Sequence, residues 1–196
     1  KRTTLAVAYY GSVGVHLFRS RDINAPLPAL YAPTVVPDPA FGVIRNIESA
    51  GRQSGNSLEV TLRGQVTRYF VGLVQYTLSR TDNNTGGINW LPANQHNPSG
   101  EWSRADFDQR HRFNMLESFS PGKAFTLGIG LTLTTGKPYT LTTGTDDFNT
   151  GLNNARPAGV SRNSLQGPGY ADLDLRLARD FYLSPDKTEK GLVATV

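Results

Sequence analysis

The densest run of groups able to do chemistry is Arg104, Asp106, Asp108, Arg110 and Arg112, with Trp90 and Trp102 just upstream. Charges of both signs concentrate here, where a long loop descends into a strand. Two chemistries suit such a row. Carboxylates and guanidinium groups pair across adjacent strands and lock an edge together, or they receive a polar ligand while the two indoles stack on a sugar or an aromatic ring. The indoles equally serve to pack a loop against its neighbours. Trp90, Trp102, Arg104, Asp106, Asp108 and Arg110 are therefore carried forward as the candidate ligand-facing residues.

Other reactive patterns fall away. His16, His96 and His111 lack the close spacing of a zinc site, and the absence of cysteine removes thiolate ligands and thiol nucleophiles together. Asp172 and Asp174 share a face with Arg176, and Asp146-Asp147 lie in a long loop; each pair suits a cation or, more plainly, a solvated ion-pair network. Thr135-Gly136-Lys137 has the end of a phosphate-binding loop without its upstream glycine or following helix. No Gly-x-Ser-x-Gly elbow occurs. The expectation is a protein with no catalytic residues, no metal and no cofactor, and hence no enzyme. The formal charge of +4 is scattered among acids and forms no basic stripe, so nucleic acid is not an expected partner.

The elements that must position these residues show a period of two. Phe125, Leu127, Ile129, Leu131 and Leu133 alternate with Thr126, Gly128, Gly130, Thr132 and Thr134, giving one apolar face and one small, polar face. Leu173, Leu175 and Leu177 alternate with Asp174 and Arg176, and Leu58, Val60 and Leu62 with Glu59, Thr61 and Arg63. Further strands are read over 5–10, 70–80, 111–119 (less regular, with Glu117 on the face of Phe113, Met115 and Phe119) and 192–196, about seven in all.

No stretch is apolar enough for a membrane-spanning helix, but a barrel strand needs only alternate lipid-facing residues, and a strand of about ten residues at a tilt near 40° spans about 25 Å. Connections alternate in length: long over 12–42, 82–109 and 137–169, short over 64–69, 120–123 and 184–187. That alternation belongs to an up-and-down outer-membrane barrel with turns in the periplasm and loops outside. The reading is an all-β, antiparallel, up-and-down transmembrane β-barrel segment. Its lipid-facing residues are Leu58, Val60, Leu62, Phe125, Leu127, Ile129, Leu131, Leu133, Leu173, Leu175 and Leu177. Tyr9, Tyr10, Tyr69, Phe70, Phe119, Phe125, Tyr170, Phe181 and Tyr182 fall at proposed strand ends, as interfacial girdles do, although aromatics favour strands generally. The alternatives are a passive or purely structural barrel, and a soluble all-β adhesin whose apolar faces meet each other.

Several segments in order also resemble the barrel of TonB-dependent receptors of the Oar-like type: Tyr10-Gly11-Ser12-Val13-Gly14-Val15-His16-Leu17; Ile47-Glu48-Ser49-Ala50-Gly51-Arg52; Asn56-Ser57-Leu58-Glu59-Val60-Thr61-Leu62; Tyr76-Thr77-Leu78-Ser79-Arg80-Thr81; Asp106-Phe107-Asp108-Gln109-Arg110-His111-Arg112-Phe113; and Gly136-Lys137-Pro138-Tyr139. The resemblance spans nearly the whole chain and implies a parent barrel of about 22 strands with a plug in its lumen. It further implies uptake of a scarce, unidentified small ligand, with outer-membrane lipid and the TonB energy-transducing complex as partners. The TonB contact would come through a plug outside this chain. Residues 1–196 are expected to be an internal part of that barrel domain, without plug or signal peptide.

Overall fold

The computed structural model describes residues 3–28, 30–65, 67–122, 125–182 and 190–195. Ten strands occur there: β1 (Thr3–Asp22), β2 (Arg45–Gln65), β3 (Phe70–Asn83), β4 (Ser103–Arg104), β5 (His111–Phe119), β6 (Thr126–Thr134), β7 (Pro138–Tyr139), β8 (Leu165–Gln166), β9 (Tyr170–Tyr182) and β10 (Lys190–Thr195). Seven form one antiparallel meander in the order β1-β2-β3-β5-β6-β9-β10, with the short β4 added to β3, and β7 pairs with β8 in a separate two-stranded ribbon. Each long strand therefore lies beside its predecessor. The long connections that follow β1, β3 and β6 gather at one end of the sheet, and the short turns that follow β2 and β5 at the other. The expected short turn over 184–187 lies outside the described residues.

The register explains the alternation. Leu5, Leu62, Val74, Met115, Leu131 and Leu173 form one cross-strand row, and Val7, Val60, Tyr76, Phe113, Leu133 and Ala171 the next. Directly paired residues share a face, so the eleven residues expected to face lipid lie together on one side. Phe125, one residue before β6, is the single member outside a strand. The opposite face carries rows such as Ala6, Thr61, Gln75, Asn114, Thr132 and Asp172. At the turn end, Phe119 packs against Phe70, Tyr69 and Phe125 with ring centroids 4.6, 6.3 and 6.4 Å apart. Pro121 and Gly122, the latter at φ +95°, supply the tight turn between β5 and β6.

Two positions depart from the pattern. Glu117 faces Gly72 and Ile129 on the apolar side, and its Oε2 is buried with no hydrogen-bond partner among the described residues. Gly72 is the necessary neighbour, because a Cβ there would lie 2.1 Å from the Leu116 carbonyl oxygen and 2.6 Å from Glu117 Oε2.

The expected loop 12–42 requires correction. β1 continues through it to Asp22, and β2 begins at Arg45, well before Leu58. Register shifts around Val15 and His16, with His16 at φ 57°, mark a bulge that carries the ladder onward. Strand alternation is lost in this upper part because neither face there is dedicated to burial: Val13, Val15 and Phe18 are exposed beside exposed polar residues. Pairing is kept there by the backbone ladder, with the Arg19–Glu48 ion pair at 2.6 Å across it.

Candidate functional site

The loops build a layer of their own. The fully buried apolar residues among those described are only Ala25, Ala93, Ala105 and Ala155, all in the long loops. Around them are buried Asp22, Asn24, Gln95, Glu101, Asp108, Arg162 and Asn163. Small apolar residues let the chains approach closely, and the polar groups so enclosed must find partners.

Arg162, 2% exposed, ties the third loop to the second. Its Nη1 donates to Asp106 Oδ1 at 3.0 Å, and its Nη2 to the Asn83 carbonyl at 3.0 Å and to Asn83 Oδ1. The guanidinium lies 5.2 Å from the Trp90 ring centroid. Burial pulls this guanidinium below its ordinary pKa, while Asp106 and Glu101 pull the other way. Asn163 donates from Nδ2 to the Arg104 carbonyl at 2.7 Å and to Asp106 Oδ1 at 2.6 Å.

A second tie is the two-pronged pair of Arg156 and Glu101, at 3.0 and 2.8 Å, with the Ala93 amide donating to the same carboxylate at 3.2 Å. Asn97 accepts from the Ser99 amide and starts the short 3-10 turn, Pro98–Glu101, that delivers Glu101. Gln95 connects the first loop, its Oε1 accepting from the Asp22 amide at 2.8 Å and its Nε2 donating to the Pro92 carbonyl at 2.7 Å.

These contacts locate the candidate ligand-facing residues. Arg104 Nε donates to Asp108 Oδ2 at 2.9 Å, and its Nη1 to Gln166 Oε1 at 2.8 Å. Asp108 Oδ1 accepts from the Thr81 amide at 2.8 Å. Asp106 keeps an exposed edge while binding Arg162 and Asn163. Arg110 has a buried Nε without a hydrogen-bond partner among the described residues. Trp90 lies under Arg162 and against Gly86, where a Cβ would sit 2.8 Å from the indole Cγ. Trp102, 46% exposed, offers an indole face to solvent. The sequence brings out Asp106, Arg104 and Asp108 but not Arg162, Asn163, Glu101, Arg156 or Gln95, which are isolated polar residues in loops that nothing local distinguishes from solvated ones.

The histidines stay apart: His16 Nδ1 is 3.4 Å from the Ser49 carbonyl, His96 Nε2 2.9 Å from the Pro26 carbonyl, and His111 Nδ1 2.7 Å from the Tyr76 hydroxyl. Among the described residues no helix is long and apolar enough to cross a membrane.

A strand-after-strand meander with one apolar face, an aromatic rim and a loop layer at one end is the wall of an outer-membrane β-barrel. The chain belongs to the outer membrane beta barrel domain family, whose model matches residues 1–161. Its place is the bacterial outer membrane, in contact with the lipid there. No curated protein and no solved structure matches the chain.

Proposed function

We propose that this wall belongs to a TonB-dependent receptor of the Oar-like type, taking up a scarce ligand through a plugged barrel and catalysing no reaction. The observation that carries the reading is the loop layer. A passive pore needs no fixed exterior, whereas a receptor needs groups held in place before the ligand arrives, since ordering them on binding costs affinity. Here three loops are cross-tied by Arg162, Arg156 and Gln95 above strands of 20 and 21 residues, longer than the roughly 9–11 residues a bilayer crossing requires. The family-like segments along the chain support the same reading. TonB, a plug and the ligand are its implied partners.

The rival is a passive or structural barrel, and energy coupling separates the two. Full-length protein in a planar bilayer should be closed to steady ion flow, and cells lacking TonB should lose uptake through it. A constantly open conductance, with uptake indifferent to TonB, would establish the passive barrel.

A further inference from the structure

A cleft of about 500 Å³ opens between the first and third long loops. One wall comes from Pro33, Val36, Pro39, Phe41 and Val43, the other from residues 149–151, and Asp22 lines it from below. Both walls are built in advance of any occupant. Asn24, 4% exposed, donates from Nδ2 to the carbonyls of Asp38, Phe41 and Gly42 at 3.0, 2.9 and 2.8 Å and accepts from the Asp38 amide at 2.8 Å. On the other side Asp146 accepts from the amides of Thr150 and Gly151 at 2.9 and 2.7 Å.

The walls are also clasped to each other. Asn149 Nδ2 donates to the Tyr31 carbonyl at 2.6 Å, and the Tyr31 and Phe148 rings meet edge-on with centroids 5.0 Å apart. Tyr31 and Asn149 both hold left-handed backbone, at φ 45° and 50°. For a bulky tyrosine that conformation is costly and persists only where surrounding contacts fix it.

Asp22 is 4% exposed. Its Oδ1 accepts from the amides of Asn24 and Ile44 at 2.9 and 3.0 Å, and its Oδ2 has no hydrogen-bond partner among the described residues. Oδ2 is not enclosed, and it is the atom through which Asp22 can meet an occupant of the cleft. Among the described residues no lysine, arginine or histidine lines the cleft. Phe41 and Val43 are 63% and 61% exposed, in a region beyond the bilayer where no lipid covers them. An open cleft with apolar side chains on one wall and a single carboxylate in its lining selects its ligand by charge and by body.

We propose that this cleft binds a small organic cation, an amine or guanidine on an apolar body, with the Asp22 carboxylate as its counter-ion. A divalent metal is a poor occupant, because Asp22 is the one carboxylate among the described residues that line the cleft. A phosphate or carboxylate ligand would meet Asp22 with no cation to compensate. The site stands apart from energy coupling, since binding is read without transport.

The test uses full-length protein in outer-membrane vesicles and two probes of like size and opposite charge, phenethylamine and 3-phenylpropionate, followed by saturation-transfer NMR. Phenethylamine should receive saturation and 3-phenylpropionate should not. Asp22→Asn, which keeps Oδ1 for both amides, should weaken phenethylamine about tenfold or more, and Phe41→Ala, at an exposed position, about threefold. Charge selectivity in the unsubstituted protein is a reading that does not depend on how Asp22→Asn folds. Equal saturation of both probes, no saturation of either, or an Asp22→Asn protein that binds the amine as tightly as the parent would each overturn the assignment.

Discussion

The strand wall and the loop layer are stabilised in opposite ways. In the wall, large apolar side chains stand outward, with Leu173, Leu175 and Leu177 each about half exposed or more, and the chain is held by cross-strand ladders. In the loop layer the largest fully buried side chains are Arg162, Gln95 and Glu101, held by hydrogen bonds between loops distant in sequence. One region relies on its solvent being hydrocarbon, the other on polar groups completing each other away from water. A change that leaves one indifferent should therefore damage the other.

The largest expected effect is in the loop layer. Glu101→Ala removes the carboxylate under Arg156 and strands a buried guanidinium and the Ala93 amide, a loss of about 3–5 kcal/mol for a broken buried pair. Hydrogen exchange should quicken over 84–110 and leave β5 and β6 unchanged; equal quickening in both would dissolve the distinction. Next is Ile129→Arg, which sets a charge on the apolar face between Glu117 and Leu175, at about 2–4 kcal/mol near the bilayer midplane. Heat-modifiable migration in detergent gels should show reduced assembly. Salt at high concentration should not rescue it.

Asp82→Asn weakens a pair to the largely exposed Arg80, 2.8 Å away; such pairs contribute at most about 1 kcal/mol, so the thermal midpoint should barely move. Smallest is Gly130→Ser on the polar face, where a Cβ meets Asp174 Cβ at 3.3 Å. A small side-chain adjustment absorbs it at a cost of about 0.5 kcal/mol. If Gly130→Ser impaired assembly more than Ile129→Arg, the two faces would have to be exchanged.

What could be read in advance divides along the same line. Leu127 to Leu133, Leu173 to Leu177 and Leu58 to Leu62 announce their strands because hydrocarbon imposes a period of two, and a periodic constraint is visible in a linear chain. Beyond the band that constraint lapses, so the upper parts of β1 and β2 are indistinguishable from loop in the sequence. Arg104 and Asp108 are legible as charged candidates, but their pairing within a turn is not, because an extended chain would hold residues four apart about 13 Å from each other. Arg162 with Asn83 and Asp106, or Arg156 with Glu101, are not legible either, since these pairs are 55 to 79 positions apart and only Asp106 among their members carries a local mark. The cleft above Asp22 escapes for the same reason, being made by two loops that meet only in the folded chain.

The order β1-β2-β3-β5-β6-β9-β10 leaves β1 and β10 at opposite margins of the sheet, and that has a consequence for biogenesis. Loops that end on the cell's exterior start in the periplasm, so Glu101, Asp106, Arg156 and Arg162 must traverse the membrane before meeting their partners, at a stage when bare strand margins would also be intolerable in oil. The loop charges and the strand margins thus face the same barrier, hydrocarbon, until each has its partner.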